Sequence, residues 1–395
     1  MFSHLSVLFH LLQVSMISTI STFPSLYCAT LLIMMGTGLF NTYMGLRLAA
    51  DAVSEVWIGT LISAYYLGIV VGARIGHRLI IRVGHVRAFA AAAMLSICMV
   101  LAQMLIDAFW LWLVLRVVAG ISLVTQYMVI ESWLNEQTDR SRRGRVFSVY
   151  LVMSGTGTAL GQLAISLYPS LDLRPLIFVA ICQALSLFPI VLSKRSHPAP
   201  QLPAPLDFVY FGRLIPHALF TAFVAGNICS SFYGLAAVFA VKQGLTTGQV
   251  ALFTAITVIA GLVAQWPMGW LSDQVNRKNL IRINALILTV LTVLLWGWFR
   301  WPYWMMLTLA AGFGVFQFTL YALASGLANE RVDPVRRVGL TAVFLMAYGV
   351  GACLGPIVAG ALMRLAGSNM LYVFSSVCAM GLVFLMRTSK KESAV

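Results

Sequence analysis

The sequence predicts an all-α polytopic membrane protein of twelve transmembrane helices, arranged as two parallel-repeat six-helix bundles around a central cavity. Three observations predict this fold: an apolar composition, a dozen long apolar segments, and a repeat of the first half in the second. Of the 395 residues, 60% are hydrophobic and only 10% are charged. Because a soluble domain carries about 25% charged residues, lipid rather than water is expected to surround this chain.

The apolar segments are long and continuous, which predicts helices and excludes a transmembrane barrel. A hydrocarbon core of about 30 Å needs about 20 apolar residues per helix, whereas barrel strands alternate apolar and polar residues over about 10 positions. The first six helices are predicted at 26–48, 54–75, 86–106, 109–131, 145–168 and 174–193. The second six are predicted at 214–240, 246–271, 280–300, 303–327, 339–363 and 368–387.

These segments divide the chain into five parts. An N-terminal cytoplasmic or interfacial segment, 1–25, precedes the first six-helix bundle, 26–193. A cytoplasmic linker at 194–213 contains four prolines, which interrupt helices. The second bundle covers 214–388, and a cytoplasmic tail covers 389–395.

The basic residues predict the orientation. The even-numbered loops, the linker and the C-terminal tail carry 20 of the 26 Lys and Arg residues. Cytoplasmic loops of membrane proteins carry an excess of Lys and Arg, so both termini are predicted to be cytoplasmic in a multi-pass protein of the bacterial inner membrane. The net charge of +14 is therefore read as an orientation signal, and no nucleic-acid partner is expected.

An internal repeat relates the two halves. An offset of 194 residues aligns the fourth and fifth predicted helices with the tenth and eleventh. It pairs Gly120 with Gly314, Tyr127 with Tyr321, Asn135 with Asn329, Glu136 with Glu330, Asp139 with Asp333, Arg143 with Arg337 and Gly155 with Gly349. Parallel repeats of this kind flank a central substrate site in transporters.

A loop motif connects the sequence to a known family. Gly269-Trp-Leu-Ser-Asp273, followed by Arg277 and Lys278, resembles the loop motif of the major facilitator superfamily, and the first-half copy has Ile80 or Ile81 where that motif has an acid. Ser63-Ala-Tyr-Tyr-Leu-Gly68 and Ile130-Glu-Ser-Trp-Leu-Asn-Glu136 resemble the YcaD-like branch. The resemblance implies secondary transport of a small organic solute by alternating access, driven by a solute or ion gradient and not by ATP.

Polar residues inside the apolar helices are the candidates for a substrate cavity. They are Asn41, Arg116, Gln126, Tyr127, Asn227, Tyr233, Gln265, Gln317, Tyr321 and Tyr348. Charged groups inside a membrane are rare and usually functional, which draws attention to Arg116. Its guanidinium either faces the cavity, where it favours an anionic solute, or extends toward Asp107 at the interface.

Charged residues at the cytoplasmic ends are the candidates for a gate. They are Glu131, Glu136, Asp139, Arg143, Asp273, Arg277, Glu330, Asp333 and Arg337. For Glu131 a gate salt bridge competes with proton carriage. Asp273 is expected to form a contact only when the cytoplasmic side is closed, and Gly269 is expected to permit close approach of a helix.

Small residues mark candidate helix-packing positions. They are Gly155, Gly157, Gly161, Gly349, Gly351 and Gly355, followed by Pro356. Small residues at this spacing let membrane helices approach closely, and this explains them at least as well as a substrate role.

The sequence carries no signature of catalysis, of a cofactor or of a metal site. The expected partners are membrane lipid, a small-molecule substrate and a possible coupling proton, with the chain itself a monomer. Two alternative functions remain open: a proton-coupled multidrug exporter, and a membrane sensor that binds a solute without moving it.

Overall fold

A computed structural model describes residues 22–106, 108–139, 142–192, 207–333 and 336–386, and these ranges contain thirteen α-helices. The first seven are α1 Pro24–Ala50, α2 Glu55–Val83, α3 His85–Leu105, α4 Phe109–Glu136, α5 Arg143–Ala164, α6 Arg174–Val191 and α7 Phe208–Leu214. The other six are α8 Pro216–Lys242, α9 Thr247–Gln274, α10 Arg277–Leu294, α11 Tyr303–Arg331, α12 Arg337–Ala366 and α13 Met370–Leu385. A single 3₁₀ turn, Ile165–Leu167, extends α5.

The outer surface of the helices is apolar, as contact with lipid requires. Within the described ranges, nine helices are long and apolar enough to cross a membrane, and α5, α10 and α13 complete the predicted twelve. Large apolar side chains point outward, including Leu105 at 85% exposure and Trp266 at 77%. A water-soluble monomer does not expose apolar side chains on this scale. The predicted fold class is confirmed.

Several helices are longer than predicted on one side of the membrane. The predictions ended α2, α4 and α11 at residues 75, 131 and 327, whereas they end at Val83, Glu136 and Arg331. The last turns carry charged residues that an apolar window excludes, but a helix continues past the lipid boundary when its backbone hydrogen bonds are internal. In contrast, α10 was predicted to reach residue 300 and ends at Leu294. The chain then bends at Gly297, whose φ is +88°.

The end of the predicted linker is helical. Short helix α7 occupies 208–214, and the Asp207 carboxylate caps it by accepting a hydrogen bond from the Tyr210 backbone N–H at 3.0 Å. The Arg336 guanidinium lies 4.4 Å from the centre of the Tyr210 ring, so α7 contacts the start of α12. The rest of the linker, residues 1–21 of the N-terminal segment and the tail 389–395 lie outside the described residues.

The two ends of the bundle differ in charge. The arginine-rich face is defined here as the side where α2, α4, α9 and α11 end and where α3, α5, α10 and α12 begin. The opposite side, where α1 ends and α2 begins, is called the arginine-poor face. Each helix end can be assigned to one of these two faces because successive membrane-spanning helices run in opposite directions.

Inside each half, matching helix pairs touch at matching glycines. A Cβ atom at Gly120 of α4 would collide with the backbone oxygen of Tyr65 in α2. A Cβ atom at Gly314 of α11 would collide with the backbone oxygen of Thr257 in α9. These glycines are partners in the 194-residue repeat, so the repeat is present in the packing as well as in the sequence.

The fifth and eleventh predicted spans repeat the pattern. In α5, a Cβ atom at Gly157 would lie 2.5 Å from the backbone oxygen of Leu31 in α1, and one at Gly161 would collide with that of Met35. In α12, Cβ atoms at Gly351 and Gly355 would collide with the backbone of α8 at Phe223 and Asn227. Close backbone approach of this kind holds helices together in lipid, where no hydrophobic force acts between them.

A third glycine of each set faces the other half. A Cβ atom at Gly155 of α5 would lie 2.8 Å from Leu262 of α9, and one at Gly349 of α12 would collide with Val70 of α2. The side chain of Leu262 or Val70 lies there, rather than backbone. Contacts within a half are therefore backbone to backbone, whereas these contacts between halves involve movable side chains.

We expect Gly161→Ala to destabilise the protein, because the new methyl group would collide with the α1 backbone. Overpacking of this kind costs about 1–3 kcal/mol. The matched control is Gly381→Ala in α13, where nothing lies within 4 Å of a Cβ atom. Thermal unfolding in detergent, followed by intrinsic fluorescence, should show a lower transition temperature for Gly161→Ala only. An unchanged transition for Gly161→Ala would contradict this packing.

Candidate functional site: a tyrosine cluster between the halves

The two halves meet firmly at the arginine-poor face. Gly59 of α2 faces the backbone oxygen of Pro356 in α12 so closely that a Cβ atom would not fit, and Gly360 faces the Glu55 backbone in the same way. A Cβ atom at Gly45 of α1 would lie 3.1 Å from the Cβ atom of Ala237 in α8. The halves are therefore closed together at this face.

An ion pair reinforces this closure. The Lys242 ammonium of α8 donates to the Glu55 carboxylate of α2, and so joins the second half to the first. Arg364, in the last turn of α12, also interacts electrostatically with Glu55. Glu55 is 7% exposed and Lys242 is 46% exposed. The carboxylate is thus held by two cations of the opposite half.

A second ion pair at the same face stays within one half. The Arg174 guanidinium donates to the Asp172 carboxylate at 2.7 Å, and the Arg174 backbone N–H donates at 2.9 Å. These hydrogen bonds lower the pKa of the exposed Asp172 carboxyl to about 2. Asp172 is therefore a matched reference for Glu55: an ion-paired acid at the same face that does not bridge the halves.

Five tyrosines from five helices lie within electrostatic or ring-contact range of one another at the boundary between the two halves. This tyrosine cluster consists of Tyr66 of α2, Tyr127 of α4, Tyr233 of α8, Tyr321 of α11 and Tyr348 of α12, and all five side chains are half-buried. Tyr66 interacts electrostatically with Tyr127 of its own half and with Tyr233 of the other half. The Tyr321 and Tyr348 rings pack edge to face, 5.2 Å apart.

Neighbouring side chains complete the cluster. The Tyr127 hydroxyl donates to the Met34 sulfur of α1 at 3.3 Å. Cys229 of α8 lies beside Tyr348 and Gln317, and it interacts with Tyr66 across the boundary between the halves. Phe344 packs on Tyr321 with ring centres 5.0 Å apart. The lining is therefore aromatic with hydroxyl groups, and both halves contribute to it.

One carboxylate faces this cluster. Glu131 of α4 accepts a hydrogen bond from the Tyr150 hydroxyl of α5 at 3.0 Å. It also interacts with Tyr127 on its own helix and with Tyr321 across the boundary. Glu131 lies five residues before the end of α4, about 8 Å at 1.5 Å per residue, and so toward the arginine-rich face. The sequence left two roles open for Glu131, a gate salt bridge and proton carriage. No described salt bridge involves its carboxylate.

The structure encloses Arg116 one ring away from the cluster, because Tyr65, which it faces, packs edge to face on Tyr66. Its side chain is wholly buried inside the first half, with the guanidinium 4.3 Å from the centre of the Phe40 ring and 5.9 Å from that of Tyr65. Its nitrogens donate no hydrogen bond to the described residues. Arg116 and Tyr127 do lie on the same face of α4. At the depth of Arg116, however, Phe40 of α1 and Tyr65 of α2 cover that face. Asp107, its alternative partner, lies outside the described residues.

Three other predicted cavity residues are buried in helix packing. Gln126 donates to the Ser96 hydroxyl of α3 at 3.2 Å, inside the first half. Gln317 donates to the Ala225 backbone oxygen at 3.0 Å, and Asn227 donates to the Phe223 backbone oxygen at 2.9 Å. Hydrophobicity patterns do not separate a helix face that packs on a neighbour from one that faces a cavity. Asn41 and Gln265 are half-buried and make no side-chain hydrogen bond that the structure describes.

The described ion pairs of the candidate gate residues lie within the second half. Arg277 donates to Asp273 at 2.5 Å and lies 3.2 Å from Glu330, and all three belong to the second half. Nothing lies within 4 Å of a Cβ atom at Gly269, so the close helix approach expected there is absent in this conformation. Asp139, Arg143 and Asp333 are exposed, and Glu136 is half-buried. The Arg337 side chain is outside the described structure.

Sequence reasoning missed several residues that the structure brings to the site or its closure, among them Tyr66, Tyr150, Cys229 and Lys242. Tyr66 lies in the segment that resembles the YcaD-like branch, but nothing separated it from Tyr65. Cys229 and Tyr150 carried no signal beyond their residue type. Lys242 is one of the few basic residues on its side, and the rarity of a charge there could have suggested a pair with Glu55.

The comparisons with known proteins agree with this architecture. The family model described as Major Facilitator Superfamily matches residues 26–246 and 218–395. An uncharacterized MFS-type transporter of Enterobacter sp. (strain 638) is 27% identical over 369 residues, covering 92% of this chain and 94% of that protein. The uncharacterized MFS-type transporter YcaD of Salmonella newport (strain SL254) is 27% identical over 373 residues, covering 92% of this chain and 95% of that protein.

Solved structures share the fold. The nucleoside transporter NupG superposes with a TM-score of 0.78 at 13% identity, over 92% of this chain and 98% of that chain. A bacterial homolog to the human lysosomal transporter Spinster, in an inward-facing and occupied conformation, superposes with a TM-score of 0.71 at 14% identity, over 94% of this chain and 98% of that chain. At these identities the likeness concerns the fold alone.

We expect Glu55→Gln to loosen the arginine-poor face, because it removes the carboxylate that Lys242 and Arg364 hold. A partly exposed ion pair is worth about 1 kcal/mol, which corresponds to about a fivefold change in population. The measurement is the rate at which a membrane-impermeant thiol reagent, added at the arginine-poor face of sealed vesicles, modifies Cys229 in a protein without other cysteines. Lys242→Gln should raise the rate by no more than Glu55→Gln does, because Arg364 still faces the carboxylate, and the double variant should match Glu55→Gln. Asp172→Asn is the control and should leave the rate unchanged. Equal rates in wild type and Glu55→Gln would contradict a role for this pair in closure.

Proposed function

Because the chain belongs to the Major Facilitator Superfamily, in its YcaD-like branch, we propose that it moves a small organic solute across the membrane by alternating access. One observation carries the proposal: a tyrosine cluster built by both halves lies beneath a face that the two halves close together. A site shared by two bodies changes its accessibility when the bodies rock. A solute or ion gradient drives the cycle, and ATP does not.

The orientation follows from charge. With the arginine-rich face in the cytoplasm, both termini are cytoplasmic and the closed arginine-poor face is external. The tyrosine cluster is then closed off from the external side in this conformation. The partners are membrane lipid, the solute and a coupling proton, and the chain acts as a monomer in the bacterial inner membrane.

Within this proposal the gate residues act in the opposite conformation. Asp273, Arg277 and Glu330 form a cluster at the arginine-rich end of the second half. Asp273 is 70% exposed, so it is available to a helix of the first half when that end closes. Rocking would then exchange the Glu55–Lys242 contact at one face for contacts of Asp273 at the other.

A second candidate, a proton-coupled exporter, is favoured by Glu131. It is a carboxylate near the arginine-rich end of the cluster that accepts a hydrogen bond from Tyr150 of the first half and lies within electrostatic range of Tyr321 of the second. A charge at such a depth is costly unless a proton or a cation neutralises it. A protonatable group at the boundary between the two bodies is the element that coupling to a proton gradient requires.

The test uses a lock across the closed face. Gly45→Cys combined with Ala237→Cys places two Cβ atoms about 3.1 Å apart, near the spacing of about 3.5–4.5 Å found in disulfides. In proteoliposomes containing this variant without native cysteines, we measure counterflow of a panel of labelled nucleosides, organic anions and organic cations. For the transported class, oxidation should abolish counterflow and dithiothreitol should restore it.

The reduced protein is its own control, since the two forms differ only in the crosslink. If the protein is a sensor, the oxidised and reduced forms will bind a solute of the panel and neither will support counterflow. If flux is the same before and after oxidation, rocking of the two halves is not the mechanism.

A further inference from the structure

We propose that the tyrosine cluster binds an organic monovalent cation with aromatic groups, that Glu131 is its counter-ion, and that the cation and a proton replace one another at this carboxylate. The inference rests on the proposed transport function and names the substrate class and coupling residue of that same site. It rests on the aromatic composition of the cluster, on the described partners of Glu131 and on the distance of the buried Arg116 from it.

The rings supply the first part of the recognition. Five tyrosines from five helices meet at the boundary between the halves, and Phe344 packs against one of them. The face of a tyrosine ring attracts a cation within about 6 Å of its centre. The same rings stack with the aromatic groups of a ligand. A cation that carries aromatic groups uses both interactions at once.

The second part is the single acid. On the elements packed around Glu131, the groups that interact with it are tyrosines: Tyr127 on α4, Tyr150 on α5 and Tyr321 on α11. None of these carries a positive charge, so no described cation neutralises the carboxylate. By contrast, the carboxylate of Glu55 pairs with Lys242 and that of Asp273 pairs with Arg277.

The cation found inside the first half is remote from this acid. Arg116 precedes Glu131 by fifteen positions on α4, which corresponds to about 22 Å along the helix. It is also enclosed by Phe40 and Tyr65. The charge that a ligand meets in the cluster is therefore that of Glu131, and the anionic solute expected from Arg116 does not fit this arrangement.

A metal ion fits the cluster less well than an organic cation. Hard metal cations take about six to eight oxygen ligands, mostly carboxylates and carbonyls. The described part of the cluster offers one carboxylate, and the Tyr150 hydroxyl already donates to it. A diffuse organic charge needs only one counter-ion and the ring faces.

The exchange balances in charge. Without a ligand, a proton on the Glu131 carboxylate neutralises it at this depth. When the cation enters from the arginine-rich face, the proton leaves to water on that side and one positive charge replaces another. When a proton returns from the other face, the cation loses its counter-ion and leaves. The result is exchange of one proton for one cation.

The experiment uses two probes of the same shape and opposite charge, tetraphenylphosphonium and tetraphenylborate. Binding of each to the purified protein is measured separately by isothermal titration calorimetry. Tetraphenylphosphonium should bind at least tenfold more tightly than tetraphenylborate. In a weakly buffered solution near neutral pH, its binding should release close to one proton per bound cation, detected by a pH indicator.

Variants locate the effect. Glu131→Gln should weaken tetraphenylphosphonium binding at least tenfold and abolish proton release, while Asp172→Asn should leave both unchanged. Should Glu131→Gln fail to fold, the comparison of the two probes and the proton count in the wild type still decide the matter. In that case, binding of tetraphenylphosphonium should weaken as the pH falls.

Three results would overturn the inference: no binding of tetraphenylphosphonium, tighter binding of tetraphenylborate, or cation binding without proton release. Failure here is distinct from failure of the transport proposal. Suppose that a neutral or anionic solute shows counterflow, and that this counterflow stops when the cysteines introduced at positions 45 and 237 are crosslinked. That result would keep the transporter and remove only the organic cation.

Discussion

Close approach of helix backbones at repeated glycines organises this protein. Lipid supplies no hydrophobic force that gathers helices, so association depends on van der Waals contact and on hydrogen bonds. Gly120 and Gly161 let α4 and α5 touch the backbones of α2 and α1, and their repeat partners Gly314 and Gly355 do the same in the second half. Each half is thereby held by contacts that no side-chain rotation can relieve. Such packing yields bodies that move as units, because packed interiors do not deform continuously.

The contacts between the halves are of two kinds. Near the middle of the membrane they involve side chains, Leu262 at Gly155 and Val70 at Gly349. At the arginine-poor face, close backbone contact at Gly59 is joined by a lysine–glutamate pair. An ion pair with one partner in water has a modest net free energy, so a cycle can break and remake it. Rigid halves joined by a weaker boundary are what alternating access requires, and the tyrosine cluster lies on that boundary.

Much of this was predictable from sequence, for identifiable reasons. Long apolar runs predict spans because backbone groups in lipid must bond internally, and the 194-residue offset found the glycines whose contacts are now equivalent in the two halves. Tyr127, Tyr233, Tyr321 and Tyr348 were also selected as cavity residues, and they meet in the structure. Their selection rested on polarity within an apolar helix, which holds for cavity and packing residues alike.

The same rule also selected residues whose amides pack between helices. Gln126, Gln317 and Asn227 satisfy their amides against neighbouring backbone or hydroxyl groups, and a single sequence does not reveal which neighbour a polar face meets. Arg116 was assigned the right face of α4 at a depth where that face is covered. Tyr66 could not be told from Tyr65, since adjacent residues of a helix point about 100° apart and the direction of the cavity was unknown.

The central claim is that two rigid halves rock about the tyrosine cluster, and pulsed electron paramagnetic resonance measures this directly. Spin labels at Ser170 and Ala366 report on the arginine-poor face, and labels at Gly144 and Gln274 report on the arginine-rich face; each pair joins the two halves. In Glu55→Gln protein in nanodiscs, the first distance should lengthen and the second should shorten in the same population. The distance between Gly144 and Ser170, both in the first half, should not change. Distances that stay fixed at both faces, or that lengthen at both, would contradict the account.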